Sequence, residues 1–135
     1  MAGFEILEHT ADVGVRAFGD SLPELFEQAT HGLANVAGIW TTGEGEQVEV
    51  AVEGDDLGGL LVDWLSEILW LHDSRDMLLT SVDVAWVDRG VKGNVRLLPR
   101  GSRSATGTQV KAVTYHQLRV ERVATGWEAD VYLDV

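Results

Sequence analysis

Only two stretches of this chain space their apolar residues for a helix; every other patterned stretch alternates with a period of two. That contrast limits the fold more than any other feature of the sequence. The first helical stretch opens at Gly19-Asp20-Ser21-Leu22-Pro23-Glu24. Ser21 as N-cap and Glu24 three places later form a capping box, and Pro23 is tolerated in a first turn whose amides lack partners anyway. Leu22, Leu25, Phe26, Ala29, Leu33 and Val36 then share one face, and Gly38 is a suitable terminator. The second stretch opens at Asp55 and Asp56, whose charges suit the positive end of the helix dipole. Its stripe is Leu57, Leu60, Leu61, Trp64, Leu65, Ile68 and Leu69, and His72 to Asp76 reads as the turn that follows.

Strands account for the rest. Phe4 to Leu7 is the first, and Val13 to Phe18 alternates with Val13, Val15 and Ala17 on one face and Gly14, Arg16 and Phe18 on the other. After the loop Thr41 to Glu46, Val48, Val50 and Val52 point inward and Glu49 outward. Beyond the second helix come Leu78–Val87, Val91–Leu98, Val110–Glu121 and Gly126–Leu133, with hairpin turns at Asp88-Arg89-Gly90 and Ala124-Thr125-Gly126. The order is β-β-α-β-α-β-β-β-β. Too few strands alternate with helices for a doubly wound sheet, so the expectation is an α+β fold, a mostly antiparallel sheet with two amphipathic helices packed on it. With 135 residues, no internal repeat and no low-complexity tract, residues 1–135 are expected to form one domain.

Several function classes are excluded by what is missing. There is no cysteine, hence no disulfide, thiolate nucleophile or cysteine-based zinc site. The first residues carry acids where a signal peptide carries bases, and Leu57 to Leu71 is interrupted by Asp63 and Glu67 and too short for a bilayer. A cytoplasmic protein with no membrane partner is expected. No P-loop, Gly-x-Ser-x-Gly elbow or His-Glu-x-x-His helix occurs. The five tryptophans suggest nucleic-acid stacking less than burial. Trp64 lies on a helix stripe, Trp86 and Trp127 alternate with apolar residues, and Trp40 and Trp70 flank helix ends; most are expected in or near the core.

A net charge of −12 repels phosphate at long range. The bases are nevertheless clustered: Arg89, Lys92, Arg96, Arg100, Arg103, Lys111, Arg119 and Arg122 fall between 89 and 122, where Glu121 is the one acid. Such a run is either a partner-docking patch or a set of solvated strand faces.

Three segments could carry chemistry. In His9-Thr10-Ala11-Asp12 an imidazole and a carboxylate can face one site, or the aspartate can cap a turn. In Gly107-Thr-Gln-Val-Lys111-Ala-Val-Thr-Tyr-His116, alternation places Lys111, Val113 and Tyr115 opposite Ala112, Thr114 and His116. Lys111 is either an edge-strand guard or a placed cation, and His116 a hydrogen-bonded histidine or a ligand. The last strand ends Asp130-Val-Tyr-Leu-Asp134-Val135, which sets the α-carboxylate beside Asp134. Two such hard oxygen donors suit Ca²⁺, Mg²⁺ or Mn²⁺ more than zinc.

These segments together resemble one family. His9-Thr-Ala-Asp12-Val-Gly-Val resembles the archease opening, Gly19-Asp-Ser-Leu-Pro-Glu-Leu-Phe-Glu27 its first helix, and Leu60-Leu-Val-Asp-Trp-Leu-Ser-Glu67 its second. Gly107 to His116 is the most specific match, and Tyr132-Leu-Asp134-Val135 closes the chain as archeases close. The resemblance implies a non-ligating cofactor of an RtcB-type RNA ligase, which joins RNA ends with GTP and Mn²⁺, as in tRNA splicing. The cofactor promotes guanylylation of the ligase and multiple turnover, meeting RNA only through its partner. Carried over residue by residue, the family's metal site falls on Asp12, Asp134 and the carboxylate or carbonyl of Val135, and its functional lysine on Lys111. His9 and His116 match motif positions, and Glu24 is already explained by capping. One departure stands out: the family's acid and histidine before Gly-Thr-x-Val-Lys are absent from Leu98 to Thr106, which is basic instead. Two other classes remain as rivals: a metal-dependent hydrolase using Asp12, Asp134 and His9, and an RNA-binding adaptor using Arg89 to Arg122.

Overall fold

The computed structural model describes residues 2–8, 12–101, 103 and 107–135. Its elements follow the expected order: β1 (Gly3–Glu8), β2 (Asp12–Gly19), α1 (Leu22–Ala37), β3 (Glu46–Glu53), α2 (Leu57–Arg75), β4 (Met77–Val87), β5 (Gly90–Pro99), β6 (Ala112–Val123) and β7 (Gly126–Asp134). All strand pairing is antiparallel, as expected, and the strands divide between two sheets, ordered β1-β2-β7-β6 and β3-β5-β4.

Local chemistry sets both helix starts. Ser21 Oγ accepts from the Glu24 amide at 3.3 Å, and Glu24 Oε1 reaches back to the Asp20 amide at 2.7 Å. Asp56 is the N-cap of α2 and accepts from the Gly59 amide at 2.7 Å. Gly38 ends α1 in the left-handed region, a conformation that costs glycine nothing. The end of α2 departs from expectation: His72 to Asp76 is no turn, because the helix continues to Arg75. Asp76 takes the left-handed position at φ 53° in place of a glycine. Arg100 holds it there: its Nε donates to Asp76 Oδ1 at 2.8 Å and its amide to the Asp76 carbonyl at 3.0 Å, while His72 Nδ1 donates to the next carbonyl, Met77, at 2.7 Å.

Each helix spans both sheets. α1 packs on β2 of the first sheet and β4 of the second, and α2 on β6 and β3. Phe26, Leu25, Leu33, Leu61, Leu65 and Ile68 are fully enclosed between them. Trp64 is the hinge of this core. Its ring lies where a side chain on Gly93 would be, 2.6 Å from a β-carbon built there, and its Nε1 donates to Thr30 Oγ1 at 2.9 Å. Thr30 in turn donates to the Phe26 carbonyl at 2.7 Å, so the buried polar atoms are satisfied. Trp127 packs against the core as expected, whereas Trp40, Trp70 and Trp86 correct the expectation. Trp40, Trp70 and Trp86 are 39 %, 56 % and 37 % exposed, and Trp127 is half-buried. Trp86 turns an edge contact onto Phe26, Trp40 stacks at a tilt on His31, and Trp70 stands on the outward side of α2.

The outer edge of β4 is closed rather than left open. Leu79 exchanges bonds with Ile39 and Thr41, and Glu27 Oε2 accepts from the Val84 amide at 2.9 Å. Among the described residues no helix is long and apolar enough to cross a membrane.

Thr30→Val keeps the shape of the core but leaves the Trp64 indole N–H without its acceptor. Urea unfolding should show a loss of about 1–3 kcal/mol, the cost of one orphaned buried donor, at an unchanged m-value.

Candidate functional site

The site is built on the pairing of β2 with β7. Its register opposes Asp12 to Asp134, Gly14 to Tyr132, Arg16 to Asp130 and Phe18 to Glu128. Because side chains alternate, these four pairs share the sheet face turned away from the helices, while Val15, Ala17, Ala129, Val131 and Leu133 line the core. The outer face is therefore layered. An acidic pair stands at one end, an aromatic layer follows, and an ion-pair cluster comes third.

Asp12 and Asp134 are directly opposed, and like charges so placed repel at the usual 4.5–5.5 Å or so between β-carbons. It is the second strand that neighbours the last; β1 lies outside it. Among the described residues no ion pair joins either carboxylate, and no group of three His, Asp or Glu side chains is assembled for a metal. The donor chemistry still fits a hard cation. Two carboxylates face each other, and Val135, packed on the core, follows Asp134 with a main-chain oxygen.

Lys111 reaches this end of the sheet from the strap before β6. Its amide donates to the Asp134 carbonyl at 2.7 Å. Its exposed side chain borders a cleft of about 260 Å³ against α2, lined also by Ser66, Trp70 and Asp73. The strap is anchored at its other end on α1. The Thr108 amide donates to the Val36 carbonyl at 2.8 Å, and a β-carbon on Gly107 would lie 2.2 Å from the Ala37 carbonyl carbon and the Gly38 nitrogen. Only glycine fits that approach, which explains the first residue of the motif. A second cleft of about 320 Å³ flanks the strap, bordered by His72, Asp73 and Gln109.

His116 sits apart from the acidic pair. The β6–β7 register breaks between Thr114 and Arg119, with Gln117 in the left-handed region at φ 51°. Strict alternation therefore ends at Thr114, and His116 turns its ring to Tyr132, 6.2 Å between centroids. His9 lies outside the described residues, as do Ser102 and residues 104–106 of the atypical loop.

The third layer was not foreseen. Asp130 is 8 % exposed and accepts from Arg16 Nε at 2.8 Å and Arg119 Nε at 3.2 Å, with Glu128 and Glu121 around them. Burial alone would raise the Asp130 pKa; the hydrogen bonds and charges of the two guanidiniums outweigh it and hold the carboxyl below the ordinary range. The same bond pushes Arg16 further above its usual value. The only sequence sign of this cluster was a charged residue on the polar face of each of three strands. The basic run does not form one patch. Lys92 pairs with Glu49, Arg96 binds Gly45 and Gln47, Arg100 binds Asp76, and Arg119 belongs to the cluster. Lys92 and Arg96 thus lie on one sheet and Arg119 on the other, which weighs against a single RNA-binding face.

Residues 4–135 match the model of the archease protein family. The chain belongs to the archease family. It is 38 % identical to the protein archease of Methanosarcina mazei over 98 % of this chain and 95 % of that protein. With the Pyrococcus furiosus archease the identity is 32 % over the full length of both. The archease fold is equally evident in solved structures. The solution structure of a Methanobacterium thermoautotrophicum protein superposes with a TM-score of 0.76 at 30 % identity, covering 98 % of this chain and 99 % of that one. The crystal structure of a Thermotoga maritima archease, a possible chaperone, gives 0.69 at 25 % identity, covering 97 % and 96 %.

The depressed Asp130 pKa has a defined pH signature. Its ionised form stabilises the fold fully above the ordinary carboxylate range, near pH 4, and that contribution is lost as pH falls through the lower folded value. Asp130→Asn should lower stability at pH 7 by about 1–3 kcal/mol and flatten the acid limb, read as urea midpoints from pH 7 to 2.

Proposed function

We propose that this chain is a non-ligating protein cofactor of an RtcB-type RNA ligase. It promotes guanylylation and multiple turnover of the ligase in tRNA splicing or RNA repair, in the cytoplasm, and is not itself an enzyme. The observation that carries the reading is the opposed pair Asp12 and Asp134, with the Lys111 amide on the Asp134 carbonyl, in a chain of archease sequence and fold.

A divalent cation with oxygen ligands, Ca²⁺, Mg²⁺ or Mn²⁺, would be held by Asp12, Asp134 and a Val135 oxygen. Bound there, it would neutralise the opposed carboxylates and offer positive charge to a phosphate-bearing site. The chain's own residues do the positioning. The β2–β7 register fixes the carboxylates, and the strap, bonded at Thr108 and at Lys111, fixes where the lysine leaves the backbone. Lys111 then presents an exposed ammonium beside an exposed Trp70, a combination suited to a protein partner. RNA enters only through the ligase, consistent with a net charge of −12.

Guanylylation of the ligase with GTP, at sub-stoichiometric cofactor, tests the reading. The unsubstituted protein should stimulate while ligase is in excess. Asp12→Ala and Asp134→Ala should abolish stimulation with an unchanged melt. Lys111→Ala should reduce it by about 10–100-fold, the loss of one charge-assisted contact. No stimulation by folded protein with active ligase would overturn the proposal.

A further inference from the structure

Gly14 and Tyr132 form the layer between the acidic pair and the arginine cluster, and no motif assigns either a task. On β2 the outer face reads Asp12, Gly14, Arg16; on β7 it reads Asp134, Tyr132, Asp130. Asp12 and Arg16 are four residues apart on one face, so their α-carbons lie about 13–14 Å apart. An extended arginine and an aspartate can just close that gap. Gly14 offers no side chain to block the lane. What blocks it is the ring of Tyr132: a β-carbon on Gly14 would lie 2.8 Å from Tyr132 Cε2 and 3.0 Å from Cζ. His116 backs the ring from the β6 side, and Thr114 Oγ1 holds the Tyr132 carbonyl at 3.0 Å.

We infer that Tyr132, laid over Gly14, is a positioning residue that keeps Arg16 on Asp130 and off the Asp12–Asp134 pair, so that the pair stays open to an external divalent cation; this rests on the reading of Asp12 and Asp134 as cation ligands. The physical reason is competition. Arg16 is a permanent cation two layers from the opposed carboxylates, and an intramolecular ion pair there would satisfy the acidic end without a metal. The bidentate hold of Asp130 on Arg16 draws it one way, and the aromatic ring closes the other. The glycine is required by the same arrangement, since any side chain at 14 would push the ring out of the lane.

Isothermal titration with Mn²⁺ reads the inference directly on the intact chain. Tyr132→Phe keeps the ring and should bind as the unsubstituted protein does. Tyr132→Ala should bind roughly fivefold more weakly, as much as an ion pair of surface strength competes away. Tyr132→Leu, which retains apolar bulk without the ring's reach, should fall likewise and keeps the test standing if the alanine variant does not fold. Adding Arg16→Met to either should restore affinity, because Arg119 still holds Asp130 and the competing cation is gone. A second readout needs no further substitution. The Arg16 Nε–Hε resonance should be insensitive to Ca²⁺ in the unsubstituted protein and shift on Ca²⁺ addition in Tyr132→Leu. Undiminished Mn²⁺ affinity in Tyr132→Leu, or a loss that Arg16→Met fails to reverse, overturns the inference alone. No cation binding by the unsubstituted protein overturns the reading of Asp12 and Asp134, and the inference with it.

Discussion

The pairing of β2 with β7 is the constraint on which the rest depends. It joins residues more than a hundred positions apart and sets both faces of the four-stranded sheet at once. On the inner face it opposes Val15 to Val131 and Ala17 to Ala129, against which α1 packs closely enough that Gly32 meets Val15 directly. On the outer face the same register opposes Asp12 to Asp134 and Arg16 to Asp130. A slip of one residue would exchange the faces, exposing the valines and burying the carboxylates. Core packing therefore specifies the geometry of the acidic pair, and the pair can be opposed without being selected for stability.

The second sheet and the helices serve that arrangement indirectly. Trp64 ties α2 to Thr30 of α1 and to the groove at Gly93, so one side chain links the two helices to each other and to the second sheet. The end of α1 then provides the seat for Gly107 and Thr108, and the strap carries that position to Lys111. Lysine and acidic pair are thus held at one end of the molecule by different elements. Their relation survives only if the helix layer and the outer sheet keep their mutual placement.

Much of this was legible in the sequence because it is local. The caps at Ser21, Asp56 and Gly38, the stripes of both helices and the hairpin turns depend on neighbours within a few residues. The end of α2 was not legible, since Asp76 adopts a glycine-like conformation under the hold of Arg100, which lies 24 residues on. Alternation also misled through Tyr115 to Leu118, where an edge strand bulges without a change in pattern. Exposed tryptophans were misread for a related reason: periodicity tells which face a residue takes but not whether another element covers that face. Asp12, Lys111 and Asp134 stood out as candidates within their own segments, and family likeness joined those segments into one candidate site. The cluster around Asp130 was missed because its partners come from three strands and no local signal links them.

The long closure between β2 and β7 also fixes a sequence of events. Strand pairings of this separation form late, since the loop between them must be ordered before the contact repays its entropy. The helices, β1–β2 and β4–β5 can assemble while the chain is still being made, each from neighbouring segments. The opposed carboxylates cannot exist until β7 has been synthesised and has inserted between β2 and β6. A nascent or truncated chain would thus carry Asp12 on a half-finished sheet with an open edge, and the opposition of Asp12 to Asp134 would report completion of the fold rather than its progress.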